Sequence, residues 1–272
     1  MPTNAAPAPD EPHRARDMAE SFGTDPARYD RARPRYPDTL VRRIVAAAPG
    51  HDVLDVGCGT GIAARQFQAA GCTVLGVDVD ARMAGFARER GLPVDVAGFE
   101  TWDAAGRTFD AVVAGQTWHW IDPAAGGAKA ADVLRPGGRV ALMWNVYRPG
   151  DDLADAFAAA HRAALPDAPR MPWNRSAHDA YGAVFDKVAD GLRATGSFGA
   201  PERWEAAWEQ PYTRDAWLEH LTTSGEAALH TPRQAADLLA RTGAVIDELG
   251  GTFTMPYVTV AVTAVRTGAS VS

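Results

Sequence analysis

The sequence predicts an α/β fold in which a doubly wound, mostly parallel sheet of seven strands is covered by helices. Three observations predict it. Strand and helix patterns alternate through five strands between residues 52 and 144, a glycine-rich turn joins the first strand to a helix, and two more strand patterns follow residue 200. Such alternation predicts parallel strands joined by helices on both faces. Ligands bind beyond the carboxyl ends of such strands, so functional residues are expected directly after them.

The N-terminal region is predicted to be a tail followed by helices that cover the ligand site. Residues 1–15 are rich in proline and small residues, so we expect a disordered tail. Lid helices are predicted within about 16–48, one over 15–30 and a second with Leu40 on its apolar face. Two prolines within 31–37 separate them, because proline cannot continue a helix.

The central elements are predicted from hydrophobic periodicity. The predicted strands are 52–56, 73–77, 92–97, 109–114 and 139–144. The predicted helices between them are 62–70, 80–90 and 123–134, the last ended by a Pro-Gly-Gly sequence.

Residues from about 149 to 250 are predicted to be a mostly helical insertion that covers the substrate. It carries a strand pattern at 202–208 and helical patterns at 214–223 and 232–249. A last strand is predicted over 253–265. We therefore expect a single domain spanning 16–268.

The composition excludes several classes of protein. Hydrophobic residues make up 46% and charged residues 22%, which is ordinary for a globular domain. A net charge of −7 and the lack of a Lys/Arg cluster disfavour a nucleic-acid partner. Two cysteines provide neither a disulfide framework nor a metal-ligand spacing. No apolar run approaches the roughly 20 residues of a membrane span, and no signal peptide is recognisable. We expect a cytoplasmic protein without a metal and without a membrane partner.

The glycine-rich turn is the main functional signal. Gly57, Gly59 and Gly61 follow a strand and precede a helix. Without a Cβ the backbone can turn tightly and approach a ligand closely. The helix N-terminus behind the turn offers unpaired N–H groups. A dinucleotide and S-adenosylmethionine (SAM) both fit such a turn in principle.

Two acidic residues favour SAM over a dinucleotide. The dinucleotide pattern G-x-G-x-x-G requires glycine where this chain has Ile62. Asp55 stands beside the turn, where its carboxylate would repel a pyrophosphate but suits the positive ammonium and sulfonium groups of SAM. Asp78 ends the second strand, and its carboxylate can accept both ribose hydroxyls.

These residues lie in segments that resemble a known family. Residues 53–61, 74–78 and 134–140 resemble the successive motifs of class I SAM-dependent methyltransferases, which have a Rossmann-like fold. Residues 29–37 and 114–120, together with residues 218–224, are similar to the methyltransferase type 11 group and its trans-aconitate-methyltransferase-like members. The resemblance covers about residues 20 to 268. It is specific for the cofactor and the fold and less so for the substrate.

The resemblance implies a set of contacts to SAM. The glycines and Cys58 line the methionine and ribose portion, Asp55 orients the amino group and Asp78 binds the ribose. Further implied contacts to the adenine are Val79, Met83, Phe99 and Glu100, although residues 98–102 lack the aspartate that many relatives carry. Gln116 is implied near the methyl group, and Tyr29 and Arg33 on the segment that closes over SAM. A guanidinium at Arg33 suits the SAM carboxylate, because its fork of donors matches two oxygens.

Substrate chemistry is predicted after the fourth and fifth strands. Methyl transfer is an in-line displacement in which positioning supplies much of the rate, and a base is required only for a protonated acceptor of high pKa. His119 is the best candidate for that base, with a structural imidazole as the alternative. Candidate substrate contacts are Trp118, Trp120, Trp144, Asn145, Trp173 and Tyr212; core packing is the alternative for the aromatic residues and loop capping for Asn145.

The predicted function is therefore methyl transfer from SAM to an O, N or C atom of a small molecule, by a monomer or homodimer. Two alternatives stay open at this point. One is a methyltransferase that acts on RNA or protein, and the other is a SAM-binding protein of this fold without methyl-transfer activity.

Overall fold

A computed structural model describes residues 22–168, 175–225 and 230–267, apart from the side chains of residues 22 and 175–180. The tail expected at 1–15 and residues 15–21 of the first expected helix lie outside the described residues. Trp173, predicted to contact substrate, also lies outside them.

Seven strands form one sheet. They are β1 (Asp52–Val56), β2 (Thr73–Asp78), β3 (Val94–Val96), β4 (Phe109–Gly115), β5 (Leu134–Tyr147), β6 (Glu202–Thr213) and β7 (Thr252–Val265). Their order is β3-β2-β1-β4-β5-β7-β6. The pairings among β1 to β5 are parallel, whereas β7 runs antiparallel to both of its neighbours. The predicted seven-stranded, mostly parallel sheet is confirmed.

Helices connect and cover these strands. They are α1 (Pro26–Ala32), α2 (Asp38–Ala46), α3 (Ile62–Ala69), α4 (Ala81–Glu89), α5 (Pro123–Val133), α6 (Asp151–Ala164), α7 (Arg175–Ala194), α8 (Arg214–Thr222) and α9 (Pro232–Glu248). Single 3₁₀ turns occur at Phe22–Thr24, Phe99–Thr101 and Trp118–Trp120.

The start of α1 corrects the prediction of a continuous helix over 15–30. The Asp25 side chain accepts the backbone N–H of Arg28 (3.0 Å), and Pro26 occupies the first turn. An aspartate cap followed by proline is a helix start, because proline lacks the N–H that an interior position must donate. The helix therefore begins at Pro26.

Strands β5 and β6 are longer than the predicted 139–144 and 202–208. The register between β4 and β5 shifts between Phe109 and Ala111, so the Pro-Gly-Gly sequence, with Gly137 at φ +79°, is accommodated as an irregularity inside the strand. At their carboxyl ends both strands continue alongside β7, which pairs with β5 as far as Tyr147 and with β6 as far as Thr213. A long partner strand thus extends both elements.

Both faces of the sheet are buried. In β1, Leu54 packs into a cluster with α5 and α7, and Val53 packs into the opposite cluster with α2, α3 and α4. A third cluster joins Phe157 of α6 and Trp217 of α8 to Tyr257 of β7. Helices on both faces leave the carboxyl edge of β1, β2, β4 and β5 as the place where loops converge.

Candidate active site

The glycine turn after β1 is folded back against β2. Gly57, Gly59 and Gly61 all have positive φ, at +62°, +54° and +85°. The Gly57 N–H donates to the carbonyl of Val77 (2.7 Å). A Cβ on Gly57 would lie 2.0 Å from Cγ2 of Thr117, so only glycine fits there.

Cys58, predicted as a cofactor contact, directs its side chain into the core. It is 6% exposed, and its sulfur lies against β2, where a Cβ on Gly76 would be 2.6 Å from it. Only its backbone is available to the turn, and its N–H also donates to Val77 (3.2 Å).

Asp55 is a buried carboxyl without a hydrogen-bond partner. It is 1% exposed, and neither carboxylate oxygen has a partner of normal geometry among the described residues. Burial raises the pKa of Asp55 to about 8, the backbone N–H of Ala64 opposes that rise, and the charge of Asp78 adds to it. A carboxylate in such surroundings is unfavourable unless a proton or a cation neutralises it.

Asp78 lies at the end of β2 and is held by two backbone donors. Its Oδ2 accepts the N–H of Gly59 (2.7 Å), and its Oδ1 accepts the N–H of Asp80 (2.9 Å). Burial nevertheless raises the pKa of Asp78. Each oxygen keeps a further lone pair, so the carboxylate can still accept two hydroxyl groups.

The predicted adenine contacts lie along one side of the turn. The side chain of Val79 is 42% exposed, and Met83 is buried, with its Cε 3.6 Å from the position of a Cβ on Gly59. Phe99 is buried in the core. Glu100 accepts a backbone N–H from the residue that caps α5 (3.3 Å). Met83 therefore lies close to the turn, Val79 is exposed after β2, and Phe99 is part of the core.

The segment after α1 is tied to the helix behind the turn. The side chain of Gln66 in α3 accepts the N–H of Tyr36 (2.9 Å) and donates to the carbonyl of the same residue (2.7 Å). Arg65 forms an ion pair with Asp30 (2.6 Å). The Tyr36 hydroxyl lies 2.3 Å from the position of a Cβ on Gly115, at the end of β4. These contacts hold the segment over the carboxyl edge.

Tyr29 and Arg33 lie between this segment and the insertion. The Arg33 guanidinium stands 5.1 Å from the centre of the Tyr29 ring and donates through Nη2 to the carbonyl of Thr223, just after α8. Its Nε is buried without a partner among the described residues. An unused donor fits the predicted contact to an anionic group.

Gln116 has a strained backbone at the end of β4. Its φ is +55°, which is rare for a residue other than glycine. Its N–H donates to Met143 (2.8 Å), and its Nε2 donates to the carbonyl of Asn145 in β5 (3.2 Å). Such strain persists where surrounding contacts impose it, and it is common at functional sites.

His119 follows β4 in the turn Trp118–Trp120. Nε1 of Trp144 donates to Nδ1 of His119 (3.3 Å), and the ring centres of His119 and Trp120 are 4.9 Å apart. Because an indole N–H can only donate, Nδ1 is the acceptor and the neutral ring carries its proton on Nε2. Burial lowers the pKa of His119 to about 4. The imidazole is therefore neutral near pH 7 and has a hydrogen-bond donor at Nε2.

Most side chains predicted to contact substrate are buried supports of the site. Relative exposure is at most 6% for Trp118, Trp144, Asn145 and Tyr212. Asn145 donates to the carbonyl of Arg35 (3.2 Å) and accepts from the hydroxyl of Thr259 (2.6 Å). Its amide thus joins β5 to β7 and to the N-terminal segment.

A tyrosine–histidine pair was missed by the sequence predictions. The hydroxyl of Tyr147, at the end of β5, lies 2.5 Å from Nε2 of His220 in α8, and Nδ1 of His220 lies 3.1 Å from the carbonyl of Ala32. A carbonyl cannot donate, so Nδ1 carries the proton and Tyr147 donates to Nε2. Thr117, whose Oγ1 is 3.0 Å from the Gly57 carbonyl, was also missed. The position of Thr117 and Tyr147 after strands was the available signal; His220 carried none.

Within the described ranges, no helix is long and apolar enough to cross a membrane. The same part of the chain contains no group of three or more side chains that could hold a metal ion.

Known proteins share this arrangement. The methyltransferase domain family matches residues 54–142. An uncharacterised methyltransferase of Mycobacterium tuberculosis is 31% identical over 259 residues, which cover 92% of this chain and 97% of that protein. A demethylmenaquinone methyltransferase of Mycobacterium sp. is 33% identical over 203 residues, or 71% of this chain and 82% of that one. A solved structure, of a candidate type II methyltransferase from Anaeromyxobacter dehalogenans, has a TM-score of 0.59 at 27% identity and covers 86% of this chain and 96% of its own.

The chain therefore belongs to the class I SAM-dependent methyltransferases, within the methyltransferase domain family. The predicted class, fold and enzymatic activity are confirmed. The narrower likeness to trans-aconitate methyltransferases stays a prediction.

Proposed function

We propose that this methyltransferase binds SAM between Asp55 and Asp78 and transfers its methyl group to a small molecule held beneath the insertion of residues 149–250. The observation that carries this proposal is the unpartnered carboxyl of Asp55 at the glycine turn. SAM presents a positive ammonium there, and a buried carboxylate needs a cationic partner. Asp78 keeps acceptor capacity for the ribose hydroxyls, and the buried Nε of Arg33 offers a donor to the carboxylate of SAM.

Positioning is the main catalytic contribution that we expect from this chain. SAM supplies an activated methyl group when bound. Thr117 and Gln116 join the ends of β4, β5 and the glycine turn through hydrogen bonds, so the carboxyl edge is already ordered. A preordered edge reduces the entropy lost when acceptor and methyl group are brought together.

His119 is proposed to hold the acceptor by donating from Nε2. Its Nδ1 already accepts from Trp144, and burial lowers the pKa of His119 to about 4. A base works best with a pKa near the operating pH, so this imidazole is a weak proton acceptor in the free protein. The general-base role predicted from the sequence therefore becomes a donor role in this proposal.

A planar, partly apolar acceptor suits the aromatic side chains at the end of β5. Tyr147, half-buried at the end of β5, packs its ring against the buried rings of Trp217 (centres 5.8 Å apart) and Tyr257 (5.1 Å apart), so of these three only Tyr147 keeps surface for a ligand. Aromatic side chains provide large contact areas with polar tips, which suits a ring compound with oxygen substituents. The relative named for demethylmenaquinone supports this class of acceptor, because a quinone is a planar ring.

Calorimetry with S-adenosylhomocysteine tests the cofactor site. We expect Asp78→Ala to weaken binding at least 100-fold, because the ribose hydroxyls lose a charged acceptor. Asp132→Ala, on an α5 side chain that is 73% exposed, is the matched control and should leave the affinity unchanged. Affinity within threefold of wild type in Asp78→Ala would contradict the assignment.

The acceptor class is tested separately with isotopically labelled SAM. Labelled methyl should appear on hydroxylated ring compounds such as quinols and phenols. Transfer to RNA or to protein, with none to small molecules, would contradict the small-molecule part of the proposal.

A further inference from the structure

We infer that Asp55 is a neutral acid in the cofactor-free protein and releases its proton when the cofactor's α-ammonium group binds, so that cofactor binding is coupled to proton release. This inference rests on the proposed function and concerns the regulation of the same site.

The isolation of Asp55 is the first argument. Other aspartates near the ends of the central strands have partners: two backbone N–H groups bind Asp78, Arg82 pairs with Asp80 (2.7 Å), and Arg135 pairs with Asp110 (2.8 Å). Asp55 is 1% exposed, and neither oxygen has a hydrogen bond of normal geometry within the described residues; the backbone N–H of Ala64 is the only donor that acts on it there. A buried carboxyl without partners takes up a proton in preference to remaining charged.

The groups around Asp55 supply no positive charge. Asp78 faces it from β2, Tyr36 from the N-terminal segment and Cys58 from the turn, and each of these is neutral or negative near pH 7. Strand β4 contributes Val113 beside Asp55 in the sheet register, and α3 contributes the backbone N–H of Ala64.

Two arginines of the segments packed against the glycine turn have other partners. Arg65 pairs with Asp30 (2.6 Å) and donates to the Thr60 carbonyl (2.7 Å). Arg33 donates to the Thr223 carbonyl, and its charge opposes the rise in the pKa of Tyr36 that burial causes. Burial, reinforced by Asp78, raises the pKa of Asp55 to about 8.

The proton balance follows directly. The free protein carries Asp55 as –COOH, the ligand arrives with –NH₃⁺, and the complex contains –COO⁻ beside –NH₃⁺. The proton leaves to water, and no other bond is made or broken. Below pH 8 each binding event must ionise Asp55, so the affinity rises about tenfold for each unit of pH. A peptide α-amino group titrates at about 7.7–8.0, and the adjacent carboxylate of the ligand favours the protonated form further, so the ligand stays cationic up to pH 7.5. The useful window is therefore pH 5.5 to 7.5.

Isothermal titration calorimetry on the full chain with S-adenosylhomocysteine tests the inference. We expect the Kd of the wild type to fall about 100-fold from pH 5.5 to 7.5. Asp55→Asn mimics the neutral acid and should bind with a Kd that does not depend on pH. Asp110→Asn, at the opposite edge of the sheet, is the matched control and should keep the wild-type slope.

A proton count gives an independent readout. At pH 6.5, the binding enthalpy measured in two buffers of different ionisation enthalpy should report release of about one proton by the wild type and none by Asp55→Asn. If Asp55→Asn does not fold, the proton count on the wild type still decides.

The outcomes separate this inference from the function on which it rests. A wild-type Kd that is constant within twofold across the window overturns the inference and leaves the proposed function standing. A slope that persists in Asp55→Asn assigns the proton to another group and also overturns it. Failure of the folded wild type to bind S-adenosylhomocysteine at every pH contradicts the proposed function itself.

Discussion

The cofactor edge and the third cluster differ in how their buried polar side chains are partnered. At the cofactor edge, Asp55 has no hydrogen-bond partner of normal geometry among the described residues, and Gln116 is held at φ +55°. In the third cluster, where the insertion meets β5 and β7, two pairs of polar side chains bond to each other: Tyr147 with His220 (2.5 Å), and the hydroxyl of Tyr212 with that of Tyr257 (2.7 Å).

This difference indicates which region is left for a ligand to complete. A buried polar group that lacks a partner raises the free energy of the folded state, whereas a paired group does not. The cofactor edge keeps such a group where a cation is expected. The pairs in the insertion instead fasten β5, α8 and the N-terminal segment to one another.

The largest expected effect comes from adding a side-chain carbon at Gly57 in the glycine turn. We expect Gly57→Ala to weaken S-adenosylhomocysteine binding at least 100-fold, because the new Cβ would stand 2.0 Å from Thr117 in a backbone with φ +62°. Gly71→Ala is the control, since φ is +89° there but no atom lies within 4 Å of the added Cβ. It should lower the melting temperature without changing the Kd. Equal binding by the two variants would mean that contact with Thr117 does not matter.

A smaller effect is expected from breaking the pair in the insertion. His220→Ala leaves the Tyr147 hydroxyl and the Ala32 carbonyl without this partner, so we expect it to lower the free energy of unfolding by about 2–4 kcal/mol. Tyr147→Phe removes a single hydrogen bond and should lower it by about 1 kcal/mol. Denaturant titration at pH 7.5 measures both. A loss in His220→Ala no larger than in Tyr147→Phe would show that the imidazole does not join the two segments.

The same histidine predicts a pH dependence of stability. Burial, with a smaller effect of Arg33, lowers the pKa of His220 to about 3. The unfolded chain protonates this group below about pH 6.5, whereas the folded protein does not. Its contribution to stability is therefore complete above pH 6.5 and falls as the pH is lowered toward 3. The stability curve of His220→Ala should be flatter than that of the wild type between pH 6.5 and 4.5, and parallel curves would contradict this.

The smallest effect is expected from an exposed ion pair between α1 and α8. Glu219 pairs with Arg31, whose side chain is 63% exposed. Solvent screens such a pair, so Glu219→Gln should leave the denaturation midpoint close to that of the wild type. Asp215→Asn, which removes one of the two carboxylate partners of Arg214 on the same helix, is the control. A loss of stability in Glu219→Gln as large as that in His220→Ala would place this ion pair among the main contacts between the regions.

Local patterns predicted much of the cofactor edge. The helix-capping and strand patterns around 52–115 depend on neighbours in sequence, so the predicted and observed strands differ there by only a few residues. The strands β5 and β6 were predicted too short, because their lengths follow the distant partner β7. Trp118, predicted as a substrate contact, follows β4 as expected, whereas Trp144 lies inside the longer β5, and both side chains pack into the core.

The sequence by itself determined the α/β class, the glycine turn and the two acids beside it, because each depends on spacing within one strand–turn–helix unit. Only the tertiary structure decided that Asp55 lacks a partner, that Nδ1 of His119 is occupied by Trp144, and that Tyr147 meets His220. Those facts depend on which side chains the sheet order and the insertion bring together. A residue pattern records side-chain chemistry, whereas burial and hydrogen-bond partners are properties of the packed chain.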